Sequence, residues 1–263
     1  MTVEVVDNLV SDKPAAIVEN AGGTSRILLV CEHAGCLLPS SIGSLGLDLA
    51  DMASHIAWDP GAAELARELS KRLDACLILQ RYSRLVFDCN RSLEAVDAIV
   101  EESDNIFIPG NSALSVDERL GRYELVYQPF YQVVSSTVTA RINAGTPPVI
   151  VTIHSFTPVY KGQRRELELG ILHDADSRLA DSLLPLAETD GGYIVARNQP
   201  YSAEDGATHT LATHGVENGL LNVMFEVRND LLSDKLSVER WAQRLEQLLS
   251  VALGNVHEQM RGN

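Results

Sequence analysis

Short apolar runs separated by polar and turn-forming residues recur along the chain and predict β-strands. The run ILLVC at 27–31 is too short for a helix and is bounded by polar residues. This pattern is typical of a strand that is buried on both faces of a sheet. Six further runs of similar character predict strands at 76–80, 85–89, 147–156, 166–173, 192–198 and 221–230.

Amphipathic segments lie between these runs, and the segment 59–75 has the clearest helix start. Asp59 can cap a helix, and Pro60 suits the first helical position, where a missing N–H is not needed. Leucines then recur at every fourth position from Leu65 to Leu73, which indicates one buried stripe on the helix. The segment therefore predicts a helix packed against the sheet.

Three more helices are predicted further along the chain. A long helix is expected over 115–143, because Ser115 and Glu118 have the spacing of a capping box at its start. Amphipathic patterns predict a helix over 175–188 and a last helix over about 236–254.

The alternation of strand and helix patterns predicts an α/β fold. We expect a single domain with a mixed, mainly parallel sheet flanked by helices on both faces. Residues 1–25 are expected to form an N-terminal arm or edge element that ends in a turn-rich cluster, and residues 26–263 the domain itself. The sequence shows no repeat or linker that would divide it.

Composition narrows the classes of function. The 263 residues carry a net charge of −15, which argues against nucleic acid as a partner, because phosphate binding needs clustered Lys and Arg. No apolar stretch approaches the roughly 18 residues of a membrane span, and the acidic N-terminus lacks a secretory pattern. Four cysteines in a chain of this length do not indicate a disulfide scaffold. We expect a cytoplasmic protein without a membrane partner; a homo-oligomer is compatible with the sequence.

Residues able to hold a metal follow two of the predicted strands. His33 comes directly after the strand at 27–31, and His154 lies near the end of the strand at 147–156. The carboxyl ends of parallel strands meet at one edge of a sheet, where ligands bind. Zinc in hydrolases typically has three His or carboxylate ligands, so a carboxylate is expected as the third, either Asp59 or Glu32. An alternative for Asp59 is the helix-capping role alone, and each histidine alternatively has a structural role.

Other polar side chains near strand ends suit substrate chemistry. Glu226 is a candidate general base that would accept a proton from a metal-activated water, with a structural pair to an arginine as the alternative. Arginine binds carboxylates through two parallel hydrogen bonds. The substrate-binding candidates are Arg84, Asn90, Arg91, Arg228 and, as a pocket residue, His209.

The order of these short motifs resembles the N-formylglutamate amidohydrolase family. The matching segments are CEHAG at 31–35, WDPGA at 58–62, YSR at 82–84, DCNR at 88–91, HS at 154–155 and EVR at 226–228. The resemblance implies a fold similar to zinc-dependent exopeptidases, and hydrolysis of N-formyl-L-glutamate to formate and glutamate. It also implies that His33 and His154 match the family's strand-end histidines, and that Glu226 lies at the position of the base. Asp59 belongs to the shared pattern, which favours it over Glu32 as third ligand.

The resemblance also implies that Arg84 and Arg91 lie where a substrate carboxylate could dock. The sequence departs from the best-known members at the first histidine, where Glu32-His33-Ala34-Gly35 replaces Pro-His-Ser-Gly. The leading expectation is a hydrolase dependent on Zn²⁺ or another divalent metal, acting on a small anionic N-acyl amino acid. The alternative is a non-catalytic protein that binds an amino-acid-like ligand on the same fold.

Overall fold

Eleven strands are found in the computed structural model, which describes residues 9–262. In chain order they are β1 (Ala16–Glu19), β2 (Ile27–Cys31), β3 (Cys76–Gln80), β4 (Glu102–Ser103), β5 (Ile106–Phe107), β6 (Val149–Phe156), β7 (Val159–Tyr160), β8 (Gln163–Arg164), β9 (Leu169–Leu172), β10 (Val195–Arg197) and β11 (Asn222–Arg228). Seven of them form one sheet, and the two-residue strands pair into the small hairpins β4–β5 and β7–β8.

The seven-stranded sheet has the order β1-β3-β2-β6-β11-β9-β10. Strands β3, β2, β6 and β11 run parallel to one another at its centre. The edge strand β1 is antiparallel to β3, and β9 is antiparallel to β11 while β10 runs parallel to β9. The predicted mixed, mainly parallel sheet is confirmed. Part of the predicted arm, β1, forms its edge.

Helices cover both faces of the sheet, as predicted. They are α1 (Leu49–Met52), α2 (Ala62–Leu73), α3 (Val116–Arg122), α4 (Gln128–Asn143), α5 (Arg178–Asp190) and α6 (Lys235–Gly262). Helices α2, α5 and α6 pack on one face, where they share a core with side chains of β2, β3, β6, β9 and β11. Helix α4 and the segment 85–89 pack on the opposite face. Leu65 and Leu69 of α2 are fully buried, so the predicted leucine stripe does face the core.

The strand predicted at 85–89 is wrong. These residues form turns, in which the amide of Val86 donates to the carbonyl of Ser83 and the amide of Arg91 donates to the carbonyl of Asp88. Leu85, Val86 and Phe87 are nevertheless buried against the sheet. The apolar run at 85–89 therefore reflects burial of these side chains, although the segment does not pair with a strand.

Of the two predicted N-terminal helix caps, one is confirmed and the other is not. Asp59 does not cap α2, because Gly61 is the N-cap residue and adopts a left-handed φ of 82°. The capping box of Ser115 and Glu118 is confirmed at the start of α3. The predicted helix over 115–143 is interrupted by a π-helical turn at Tyr123–Tyr127, which separates α3 from α4.

All four cysteines, Cys31, Cys36, Cys76 and Cys89, are free thiols. Within residues 9–262, none of the helices combines the length and the apolar character needed to cross a membrane.

Candidate metal centre and active site

Three neighbouring parallel strands, β2, β6 and β11, deliver the central residues of the site. Glu32 and His33 follow the end of β2, while His154 and Glu226 lie near the ends of β6 and β11. His154 and Glu226 are register partners, so their backbones are directly adjacent. Because side chains alternate along a strand, Glu32, His154 and Glu226 project to the same face as Leu28, Ile150 and Met224. The predicted convergence at the carboxyl edge of the sheet is therefore observed.

His33, Asp59 and His154 bring three ligand atoms together in a buried cluster. The Nδ1 atoms of the two histidines are 3.2 Å apart, and Oδ2 of Asp59 lies 2.9 Å from Nδ1 of His154 and 3.4 Å from Nδ1 of His33. Ligands placed about 2.0–2.2 Å from one tetrahedral ion are separated by roughly 3.4 Å. The spacing of these three atoms therefore fits a shared metal ion.

A second carboxylate contacts the far nitrogen of each histidine. Oδ1 of Asp88 accepts a hydrogen bond from Nε2 of His33 at 2.7 Å, and Oε2 of Glu32 lies 3.1 Å from Nε2 of His154. For His33, a ring proton held at Nε2 leaves the Nδ1 lone pair facing the cluster, as in many metal-binding histidines. Glu32 thus lies behind His154 and outside the converging set, so the geometry selects Asp59 over Glu32 as third ligand.

The electrostatics of the cluster favour a positive charge at its centre. Burial disfavours a charged His154, but Glu32 and Asp59 outweigh it and raise the pKa of His154 well above its ordinary value. Burial likewise opposes ionisation of Asp59, yet His33 and His154 lower its pKa below the ordinary value. Either a proton or a metal cation between these groups would supply the positive charge that the carboxylates stabilise. The donor set of two imidazoles and one carboxylate fits zinc.

Asp59 is held in place by several hydrogen bonds. Its amide donates to the carbonyl of His33 at 2.9 Å, and its Oδ2 accepts from the amide of Ser155 at 3.2 Å. Arg84 approaches Oδ1 of Asp59 at 3.6 Å and donates to Oδ2 of Asp88 at 2.6 Å. Arg84 therefore braces both the candidate ligand Asp59 and the carboxylate that supports His33.

Glu226 has the setting of a proton acceptor. It is buried, lies beside His154, and its Oε2 atom has no hydrogen-bond partner among the described residues. Burial raises the pKa of Glu226 to about 7, and the negative charge of Asp59 adds to the rise. A carboxylate with such a pKa exchanges protons readily near neutral pH.

A cavity of about 290 Å³ opens onto these groups. Its wall includes His33, Asp59, His154 and Glu226, and an aromatic side is formed by Phe156, Tyr160 and Tyr201. Asp97, Glu102 and Ser103 also line it. Its volume suits a small molecule of amino-acid size.

Three of the predicted substrate-binding residues line this cavity: Arg84, Asn90 and Arg91. The Asn90 amide donates to the carbonyl of Ala207, and its oxygen accepts from the amide of Thr210. Arg91 donates to Oδ2 of Asp97 at 2.7 Å and to the carbonyl of Gly206 at 3.0 Å. Asn90 and Arg91 thus fasten the segment 206–210 to the cavity wall.

The structure places the other two, Arg228 and His209, away from the cavity lining. Arg228 donates to Oδ1 of Asp230 at 2.8 Å and to the backbone carbonyls of residues 165–167. Nε2 of His209 lies 2.7 Å from the hydroxyl of Tyr127, within a cluster of aromatic rings on α4 and the preceding turn. Arg228 and His209 therefore contact other parts of the protein, whereas the sequence predicted that they bind the substrate.

The sequence profile of the N-formylglutamate amidohydrolase family matches residues 25–233. The chain belongs to the N-formylglutamate amidohydrolase family. The resemblance inferred from the short motifs is thereby confirmed, and family membership supports an amidohydrolase. Curated protein sequences give no match to the chain.

Several solved structures are similar to this member of the N-formylglutamate amidohydrolase family, including the following two. The crystal structure of a gene product from Agrobacterium tumefaciens is 47% identical, with a TM-score of 0.92, and the match covers 95% of this chain and 99% of that one. An N-formylglutamate amidohydrolase from Ralstonia eutropha has a TM-score of 0.70 at 16% identity, covering 95% of this chain and 100% of that one. The second likeness shows a shared fold.

The roles of three residues of the site, Asp88, Glu32 and Tyr201, were not predicted from the sequence. Asp88 belonged to a recognised motif but received no function, and Glu32 was considered only as a ligand. Tyr201 lines the cavity, and its sequence neighbourhood offered no signal beyond a proline before it. Glu32 is adjacent to His33 in sequence but lies behind His154, so its position in the sequence gave no signal for this contact.

Proposed function

We propose that the chain is a metal-dependent amidohydrolase that cleaves the acyl–nitrogen bond of a small N-acyl amino acid, such as N-formyl-L-glutamate. The observation that carries this proposal is the convergence of two imidazole nitrogens and one carboxylate oxygen within 3.4 Å, beside a buried carboxyl on the wall of one cavity. Family membership supports the same class of reaction.

His33, Asp59 and His154 would hold the metal. When bound, a divalent cation such as Zn²⁺ supplies a Lewis acid that polarises the acyl oxygen and eases deprotonation of water. The proton lost from the attacking water passes to Glu226, the buried carboxyl beside His154. Glu226 then returns the proton to the leaving amine, as a group with a pKa near neutral pH can do in both directions.

Neighbouring residues orient the candidate metal ligands, hold a supporting carboxylate in its charged form and close the cavity around them. Asp88 holds the ring of His33 in orientation through a hydrogen bond, Glu32 faces the far nitrogen of His154, and the positive charge of Arg84 keeps Asp88 ionised. Asn90 and Arg91 fix the segment that closes one side of the cavity. The buried location of the acids and histidines limits access of bulk water, which strengthens their electrostatic interactions.

The proposal is tested by metal analysis of the purified protein together with a formate-release screen over N-formyl amino acids and other N-acyl amino acids. We expect about one zinc per chain and release of formate or another acid from at least one compound. A protein with no stoichiometric metal and no hydrolysis of any compound would refute the enzyme and support a ligand-binding role.

A further inference from the structure

Arg165 lies directly behind the aromatic side of the cavity, just after the hairpin β7–β8. Its guanidinium carbon is 4.7 Å from the ring centroid of Tyr160, 5.2 Å from that of Tyr201 and 5.8 Å from that of Phe156. All three rings line the cavity. Arginine stacked on aromatic faces keeps its charge and its planar donor edge available for an anion.

Among the ion pairs of the described residues, none joins Arg165 to a carboxylate. Its one side-chain hydrogen bond within that part of the chain is from Nη1 to the hydroxyl oxygen of Tyr201, at 3.1 Å. The other arginines near the site differ in this respect. Arg84 is paired with Asp88, and Arg91 is paired with Asp97.

Tyr201 connects this guanidinium to the cavity. Its hydroxyl oxygen accepts the hydrogen bond from Arg165, which leaves the O–H hydrogen available for donation to another group. Burial raises the pKa of Tyr201 above its ordinary value, so the hydroxyl stays protonated at neutral pH. A phenolic donor on the wall, with a guanidinium directly behind it, forms a docking position for an anionic oxygen.

The backbone that carries Arg165 is firmly supported. The amide of Arg165 donates to the carbonyl of Pro158 at 2.8 Å, closing the hairpin, and Arg228 donates to the carbonyl of Arg165 at 3.2 Å. Arg228 also donates to the carbonyls of Glu166 and Leu167. A cation whose main chain is fixed in this way loses little conformational freedom when a ligand docks.

We propose that Arg165, together with the hydroxyl of Tyr201, binds a carboxylate of the substrate. This proposal rests on the proposed function and assigns to Arg165 the docking role that was expected, from the sequence, for Arg84, Arg91 or Arg228. It predicts that one carboxylate of an N-acyl amino acid lies against the aromatic side of the cavity, with the acyl group directed toward His33, Asp59 and His154. The substrate class is thus an N-acyl amino acid with a free carboxylate, and a simple uncharged amide is a poor substrate.

The test uses Arg165→Met, Arg165→Lys and Tyr201→Phe, with Arg164→Met as the matched control on the same hairpin. Arg164 is exposed and pairs only with Glu166 among its described neighbours, so its loss removes a positive charge without touching the cavity. The substrates are N-formyl-L-glutamate, N-formyl-L-glutamine and N-formyl-L-isoglutamine, which differ in which carboxyl group is replaced by an amide.

We expect Arg165→Met to raise KM about 10- to 100-fold for compounds that keep the docked carboxylate, because a hydrogen-bonded ion pair is lost. The compound that lacks this carboxylate should have a KM within about twofold of its value with the unaltered protein. Arg165→Lys should recover part of the loss, and Tyr201→Phe should raise KM by a smaller factor. Equal changes for all three compounds would overturn the proposal and assign Arg165 a purely structural role.

A binding measurement separates this proposal from the proposed function. Glutarate is titrated into the purified protein and each variant by calorimetry, after circular dichroism has shown that the variant is folded. Arg165→Met should weaken glutarate binding at least tenfold, and Arg164→Met should leave it unchanged. If no N-acyl compound is hydrolysed, the amidohydrolase assignment fails while this titration still decides the role of Arg165. Unaltered glutarate affinity in Arg165→Met refutes the docking role in either case.

Discussion

His154 and Glu226 are register partners on the parallel strands β6 and β11, so the candidate metal ligand and the candidate base emerge side by side from the sheet. Their side chains project to the same face because both strands have the same direction and pleat. Both residues lie within strands, and neither is carried by a loop. Their relative position is therefore set by the backbone hydrogen bonds of the central sheet.

Replacement of any one of His33, Asp59 and His154 by alanine should remove most of the bound zinc. Each change deletes one of three ligand atoms and opens the site to water. Zinc per chain is measured by elemental mass spectrometry after dialysis, with His257→Ala on α6 as the control. Full zinc occupancy in Asp59→Ala together with zinc loss in Glu32→Ala would make Glu32 the third ligand.

Asp88→Asn should weaken zinc binding about 10- to 100-fold without abolishing it, because Asp88 orients His33 rather than contacting the metal. The affinity is measured by competition with a chromogenic chelator. Asp190→Asn, which disturbs a distant pair with Arg244, serves as the control. Zinc loss as complete as that of His33→Ala would identify Asp88 as a ligand.

Glu226→Gln should lower turnover by about 10²- to 10⁴-fold and leave the zinc content unchanged, since glutamine keeps the shape but cannot accept a proton. Normal turnover in this variant would exclude Glu226 as the base. Loss of zinc would instead make it a ligand.

The pH profile gives an independent check on Glu226. A base acts only when ionised, so kcat/KM should be lost as pH falls through the pKa of Glu226. Burial raises that pKa to about 7, and a nearby metal cation would lower it, so the midpoint should lie at or below about pH 7. A rate that is highest near pH 5 and declines toward pH 8 would contradict this assignment.

Leu69→Ala should destabilise the fold by about 2–5 kcal/mol, because Leu69 is fully buried between α2 and the sheet. Val116→Ala on α3 is the control: Val116 is 80% exposed, and its change should stay within about 0.5 kcal/mol. Urea unfolding followed by circular dichroism measures both. Similar midpoints for the two variants would show that α2 contributes little to the cooperative core.

The sequence predicted the central sheet and the meeting of His33, His154 and Glu226, because buried parallel strands read as continuous apolar runs and place their ends together. It could not separate the two roles of Asp59, since a carboxylate before a proline suits both a helix cap and a metal. The segment 85–89 was misread because burial alone produces an apolar run. Arg165 was missed because its hydrogen bond to Tyr201 is a tertiary contact that the sequence pattern does not reveal.

Arg228 holds residues 165–167, which follow β8, through the main-chain oxygens of Arg165, Glu166 and Leu167. Every residue type offers the same carbonyl, so this support does not depend on which side chains the segment carries. The side chains at 165–167 can therefore be exchanged while the segment stays attached to the strand that bears Glu226. Residues 165–167 can thus vary in side chain while β11, which carries Glu226, keeps its position. Substitutions at these three positions are therefore a direct route to altered substrate preference.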